Sequence, residues 1–153
     1  MNLARIEALH LLPDLYDTLV LPAAVWDEVV VEGEGQPGAH RVRTAAWIER
    51  RTVANRDLVR ALRQDLDAGE AEAIALAIET EDALLLMDER HGRETASHFD
   101  IPHLGLIGVL IDAKENRHIN AIQPHLDALQ REAGFWVSDD LYRRVLRDQG
   151  ELS

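Results

Sequence analysis

The sequence lacks cysteine, has a single lysine (Lys114) and contains no hydrophobic run long enough to cross a membrane. The missing thiols exclude disulfides, thiol catalysis and thiolate zinc sites. The few serines form no G-x-S-x-G motif, so a serine-nucleophile triad has no support. The N-terminal segment carries Glu7 and shows no signal-type cleavage site, which predicts a mature, cytoplasmic protein.

What is present is the composition of one ordinary globular domain. The 153 residues are 46% hydrophobic and 29% charged, enough to bury a core. Acidic residues outnumber basic ones by 28 to 16, giving a net charge of −12. A field of that sign repels nucleic acid, so any nucleic-acid function would depend on a local patch or on bound cations.

The stretch from Asp67 to Gly92 is the one around which the chain is organised. Asp67 and Glu70 are placed to begin a helix, and Ala71, Ile74, Ala75 and Ile78 recur at helical spacing. The apolar run Ala83–Met87 then predicts a strand buried in a parallel sheet. Asp88 follows at the strand end, where ligands bind in open α/β sheets.

The rest of the chain alternates predicted helices and strands, which indicates a single α/β domain. The other predicted strands are Thr18–Leu21, Arg51–Val53 and the edge strand Ile101–Leu104. The other predicted helices are Asn2 to about Leu12 (ended by Pro13), Ala23–Val31 (begun by Pro22), Ala39–Arg50, Arg56–Leu66, Asp88 to about Phe99, Leu106–Lys114, Pro124–Gly134 and a last one capped by Ser138.

Two motifs could suggest a cofactor site or a zinc site, but the residues around them support neither. Gly33 to Gly38 matches G-x-G-x-x-G, but the three valines before it fit a helix end, whereas a dinucleotide fingerprint needs a strand there. His91 and His98 are seven residues apart, and no histidine pair has the spacing of a zinc site. Solvated or core roles suit these histidines better.

Three carboxylates remain as candidate site residues, each with a structural alternative. Glu70 completes a D-x-x-E capping box with Asp67, Asp88 can cap the helix after it, and Glu28 can be a solvated helix residue. Brought together at one sheet edge, Glu28, Glu70 and Asp88 would repel one another and need a hard cation such as Mg²⁺ or Mn²⁺. A cation held there activates water and binds a phosphodiester, which is nuclease chemistry.

The segments LDAGEAEAIALA and LLLMDERHGR, with LPAAVWDEV, GQPGA and SDDLYRRVL, resemble PIN-domain proteins, closest to a prokaryotic branch related to VapC-type toxins. The resemblance implies a three-layer α/β/α sandwich with a mainly parallel sheet, Mg²⁺- or Mn²⁺-dependent RNA cleavage, an antitoxin partner and a homodimer. It assigns Glu28, Glu70 and Asp88 as catalytic metal ligands. Arg90 and Arg93 would meet phosphate; the alternative is a salt bridge to a nearby carboxylate.

The chain departs from the family at its start, where the first strand and its Asp are missing. We therefore expect one PIN-like domain over residues 1–153, N-terminally truncated relative to the family, with weak metal affinity and little cleavage if the chain is complete. The alternative function is an inactive interaction module that binds an antitoxin or another partner. A phosphoryl-accepting receiver domain is set aside, because the acidic pair that it needs after the first strand is not evident.

Overall fold

A computed structural model describes residues 8–36 and 38–152. Residues Thr18–Leu106 form one compact unit, here called the central unit. The described residues before Thr18 and after Leu106 form a second one, here called the terminal unit. The prediction of a single domain over residues 1–153 stays a prediction.

The helices and strands alternate along the chain, as predicted. In order they are α1 (Leu11–Leu15), β1 (Leu19–Pro22), α2 (Ala23–Trp26) with a π-helical continuation (Asp27–Glu32), α3 (Ala39–Thr44), β2 (Ile48–Arg51), α4 (Arg56–Leu62), α5 (Ala68–Glu79), β3 (Leu85–Leu86), α6 (Arg90–His98), β4 (His103–Leu104), α7 (Leu106–Glu115), α8 (Gln123–Glu132) and α9 (Asp139–Asp148).

The strands of the central unit form two small parallel pairs. β1 pairs with β2, with Leu19 opposite Ile48. β3 pairs with β4, with Leu85 opposite His103. Parallel pairing requires a crossover, and helices supply it in both cases. The mixed α/β fold with parallel strands is therefore confirmed, with sheets smaller than the resemblance implies.

The core of the central unit is built around α5. Ala71, Ile74 and Ala75 are fully buried there, as the helical spacing predicts, whereas Ile78 is exposed. Burying a side chain such as that of Ile74 stabilises the fold by about 2–3 kcal/mol. The other buried residues of this core come from α5 itself, α4, β3, α6 and their flanking loops: Val53, Val59, Leu66, Leu76, Leu85, Met87, Ala96 and Ile101.

Two predicted boundaries around β2 are wrong. The helix predicted over Ala39–Arg50 ends at Thr44, and the strand predicted over Arg51–Val53 occupies Ile48–Arg51 instead. Pairing with β1 takes precedence there over local helix propensity.

Prolines account for two further differences. The predicted helix from Asn2 lies mainly outside the described residues, and Pro13, expected to end it, lies within α1. Proline is tolerated there because the first helical turn needs no intrahelical N–H donor. Pro22 is extended (φ −63°, ψ 155°) and serves as the N-cap of α2 rather than its first residue.

The glycine-rich loop behaves as its context predicts. Val29, Val30 and Val31 lie in the π-helical continuation of α2, so no strand precedes the loop. Gly35 and Gly38 have φ values of 86° and 98°, which suit glycine. The dinucleotide-binding fingerprint therefore lacks the structural context that it requires.

The terminal unit is helical. Ser138 caps α9 as predicted, accepting a hydrogen bond from the Leu141 N–H at 3.2 Å. Among the described helices, none has the length and apolar character needed to span a membrane. The largest fully buried side chains of this unit are Leu11, Val109, Leu110, Ile122, Leu126, Leu129 and Leu146.

Candidate functional site

Asp88 lies two residues beyond the carboxyl end of β3, after Met87. Its Oδ1 accepts a hydrogen bond of 2.7 Å from the backbone N–H of Leu106, just beyond β4. Its predicted alternative role as the cap of α6 is wrong, because the N-cap of α6 is Glu89. The Asp88 side chain instead accepts the N–H of the first residue of α7, which holds the carboxylate beyond the strand ends, where α/β proteins bind ligands.

Glu70 and Asp67 form the predicted capping box at the start of α5. The Glu70 N–H donates to Asp67 Oδ1 at 2.8 Å, and the Asp67 N–H donates to Glu70 Oε1 at 3.1 Å. Both bonds satisfy helix N–H groups that would otherwise lack partners. The box uses one oxygen of each carboxylate, so capping and cation binding are compatible roles for Glu70.

The electrostatics of Glu70 connect α5 to the end of β3. Burial is the largest effect that raises the pKa of Glu70, and the negative charges of Asp67 and Glu89 raise it further. The hydrogen bond from the Asp67 backbone opposes this shift. The charge of Glu89 is the smallest of these causes, and it comes from the segment that follows β3.

Glu28, in the continuation of α2, approaches the N-terminus of α5. A Cβ atom on Gly69 would lie 3.5 Å from Glu28 Oε2 and 3.6 Å from Asp67 Oδ1. The Glu28 carboxylate therefore lies beside the α5 N-terminus. Glu28 lies in the π-helical continuation of α2, a geometry found frequently at functional sites.

A buried carboxylate anchors the helix that carries Glu28. Glu72 is only 6% exposed and accepts a hydrogen bond of 3.1 Å from the Ala24 N–H at the start of α2. Its other oxygen lies 3.6 Å from Arg56 Nη2. This residue was not singled out from the sequence, where it is one more acidic residue on α5. It fixes α2 against α5, and so positions Glu28.

The donor set partly suits a divalent cation. Carboxylate oxygens are the ligands that Mg²⁺ and Mn²⁺ prefer, and the acidic residues above supply them. Over residues 8–36 and 38–152, however, no three acidic or histidine side chains lie close enough together to hold one ion. The chemistry fits a hard cation, whereas the described arrangement is not a ready-made three-ligand cage.

The two arginines after Asp88 differ in their partners. Arg90 Nε lies 2.9 Å from Glu94 Oε1, so the alternative of a salt bridge is confirmed for Arg90. Arg93 Nη1 and Asp88 Oδ1 lie 3.7 Å and 3.2 Å from the position of a Cβ on Gly105. Arg93 is therefore the arginine that reaches the Asp88 end of the site.

No curated protein and no solved structure matched the chain. A family model described as a PIN domain matches residues 1–151, so the chain belongs to the PIN-domain family, whose fold is of the nuclease type.

Proposed function

We propose that the protein is a metal-dependent ribonuclease that hydrolyses RNA phosphodiesters. The observation that carries this proposal is the meeting of the Glu28 carboxylate with the Asp67–Glu70 capping box at the α5 N-terminus, while the Asp88 carboxylate lies beyond the carboxyl end of β3. Such a meeting of carboxylates costs free energy through like-charge repulsion unless a cation is bound. Membership of the PIN-domain family supports the same chemistry.

Glu28, Glu70 and Asp88 would hold the Mg²⁺ or Mn²⁺ ion. When bound, the ion supplies Lewis acidity and lowers the pKa of a coordinated water, which is the nucleophile in this scheme. No side chain attacks the substrate. The protein residues hold carboxylate oxygens at the sheet edge, and the tie between Asp88 and the Leu106 N–H keeps one of them in place.

The positive charge near Asp88 supplies the phosphate contact. Arg93 lies beside Gly105 on the Asp88 side of α6, and guanidinium groups bind phosphate in a bidentate manner. A local cation of this kind is needed because the net charge of −12 opposes RNA binding. Arg90 contributes less to phosphate binding, because it is paired with Glu94.

The biological role that we propose is the toxin of a toxin–antitoxin pair. The support is the resemblance of the chain to VapC-type toxins together with its family membership. A cognate antitoxin and a homodimeric state belong to the same proposal. Copurification with a small protein encoded nearby, followed by light scattering of the complex, tests both.

The test of the ribonuclease is cleavage of structured RNA by the purified chain in Mn²⁺. We expect cleavage that EDTA and Glu70→Gln both abolish. Glu132→Gln is the matched control, because Glu132 is an acidic residue of the terminal unit paired only with exposed Arg131. Cleavage that persists in EDTA, or is unaffected by Glu70→Gln, would overturn the proposal.

The second candidate function is an inactive interaction module that binds an antitoxin or another partner. One observation favours it: within the described residues no three acidic or histidine side chains converge on one ion position. Thermal unfolding with added Mn²⁺ separates the candidates. A rise in melting temperature that grows with Mn²⁺ concentration supports the ribonuclease, since binding to the folded state stabilises it. An unchanged melting temperature, with partner binding intact, supports the module.

A further inference from the structure

A groove lies between α6 and the end of β4, and one of its lining residues, Gly105, adjoins the Asp88 carboxylate. Its volume is about 480 Å³, and all of its lining residues belong to the central unit. Residues at helical spacings of three and four line one wall, and the segment from His103 to Gly105 lines the other. The residues of α6 in that wall are Arg90, Arg93, Glu94 and Ser97.

The charge of the groove is concentrated on one arginine. Arg90 is paired with Glu94, 2.9 Å away, and Glu94 also lies 3.9 Å from His91 Nδ1. Among the residues that the structure describes, Arg93 has no salt-bridge partner within 4 Å. Its guanidinium is therefore the positive group available to an anion that enters the groove beside Asp88.

His103 lines the same groove, and one of its ring nitrogens has a backbone partner. Its Nδ1 lies 3.0 Å from the carbonyl oxygen of Ile101. A carbonyl oxygen only accepts hydrogen bonds, so Nδ1 must carry the proton. In the neutral ring Nε2 is then an acceptor, and it requires a ligand that donates.

We propose that this groove binds the nucleotide next to the scissile phosphate and selects RNA over DNA. Arg93 binds the phosphate of that nucleotide, and His103 Nε2 accepts a hydrogen bond from its ribose 2′-hydroxyl. A phosphate oxygen has no proton to donate to Nε2, whereas the 2′-hydroxyl has one. This inference rests on the proposed ribonuclease function and adds the source of its sugar specificity.

The test measures binding without cleavage. Fluorescence anisotropy in EDTA compares a single-stranded RNA with a DNA of the same sequence. His103→Asn keeps an amide N–H near the Nδ1 position, for the bond to Ile101, and removes Nε2. His103→Gln keeps an acceptor near Nε2. We expect wild type and His103→Gln to prefer RNA roughly three- to ten-fold, as one hydrogen bond allows, and His103→Asn to bind both strands equally.

Arg93→Gln should weaken RNA and DNA binding to the same degree. It should also lower the salt dependence of binding by about 0.7 in the log–log slope, the value for one phosphate contact to a single strand. Arg131→Gln is the matched control, an exposed helical arginine of the terminal unit with the same loss of charge. An RNA preference retained by His103→Asn, or equal weakening by Arg131→Gln, would overturn the proposal.

Different results would contradict the groove proposal and the ribonuclease proposal. If wild type cleaves RNA in Mn²⁺ but Arg93→Gln and His103→Asn bind RNA as wild type does, the groove proposal is wrong and the ribonuclease proposal stands. If wild type binds RNA selectively in EDTA, the variants abolish this binding, and no cleavage occurs in Mn²⁺, the groove proposal stands and the ribonuclease proposal is wrong. Failure of wild type to bind RNA and to cleave it would remove both.

Discussion

Asp88 Oδ1 and the backbone N–H of Leu106 are 2.7 Å apart, and this hydrogen bond ties the carboxylate after β3 to the chain just beyond β4. The bond needs an acceptor oxygen but not a negative charge. A cation, in contrast, needs the charge. The two demands on Asp88 can therefore be separated by substitution, because asparagine keeps the first and loses the second.

Asp88→Asn should leave the fold nearly as stable as wild type and abolish RNA cleavage in Mn²⁺. Asp88→Ala should abolish cleavage as well and also lower the free energy of unfolding by about 1–2 kcal/mol, because the Leu106 N–H loses a partially buried partner. Urea denaturation and a cleavage assay on the same preparations measure the two effects. Equal stability losses in both variants would show that the negative charge itself holds the fold.

The effect of Glu70→Gln on the free energy of unfolding should depend on pH. The pKa of Glu70 is raised in the folded state, so the folded protein binds this proton more tightly than the unfolded chain does. Ionising Glu70 therefore reduces stability as the pH rises from the ordinary glutamate value, about 4.3, through the raised one. Glutamine keeps the acceptor for the Asp67 N–H and carries no charge. The variant should gain stability relative to wild type across that window and hold the gain above it.

Urea denaturation of wild type and Glu70→Gln between acid and neutral pH measures this difference. Asp57→Asn serves as the control, because Asp57 is an exposed acid on α4 whose partner is the exposed Arg60. A stability difference that grows as the pH falls has the opposite sign and would contradict the electrostatic account of the site. Saturating Mn²⁺ should reverse the order of the two proteins at neutral pH, since a bound cation removes the repulsion.

The local features of the site could be predicted from the sequence, and its long-range contacts could not. The capping box follows from residues three apart, and the position of Asp88 follows from an apolar run with a carboxylate after it. The bond from Leu106 to Asp88 joins residues 18 positions apart, and the bond from Ala24 to Glu72 joins residues 48 apart. Pairings at such separations depend on the packing of helices and strands, which residue spacing does not encode.

The errors in the predicted elements have the same origin. Local helix propensity predicts a helix up to Arg50. In the structure, Ile48–Arg51 pair with β1 and form a strand instead. Ile78 fits the helical spacing of the apolar face, yet it lies at the end of α5 where that face leaves the core. Periodicity therefore identified the central part of α5 correctly and could not say where its packing partners end.

Glu151 should matter for the stability of the terminal unit. Its carboxylate accepts hydrogen bonds from the N–H groups of Ile122 and Gln123 at the start of α8 and from Lys114 at 2.8 Å. Burial alone would raise the pKa of Glu151, but these hydrogen bonds outweigh it and lower the pKa. The stabilisation is therefore present above the ordinary glutamate value and lost as the pH falls through the lowered one.

Glu151→Gln should cost about 2 kcal/mol of unfolding free energy at neutral pH, since hydrogen bonds to a charged group are lost and Lys114 keeps an unpaired charge. The two side chains are only 12% and 21% exposed, which limits replacement by water. The cost should shrink below the ordinary glutamate pKa. Glu132→Gln, which removes a 3.5 Å pair between exposed residues, should change stability by less than about 0.5 kcal/mol. Equal losses in the two variants would mean that burial of the Glu151 pair is irrelevant.

Gly92 sets how closely α6, which carries Arg93, approaches β3. A Cβ on Gly92 would lie 2.5 Å from Sδ and 2.9 Å from Cγ of Met87, and Met87 is 7% exposed with little room to move. Gly92→Ala should therefore destabilise the protein by about 1–3 kcal/mol, although alanine alone favours a helix by about 1 kcal/mol over glycine. The effect should change sign when Met87→Ala is also present, because the clash is gone and the helix propensity remains. Urea denaturation of the four proteins gives the coupling energy directly. Additive costs would show that α6 is not held against Met87.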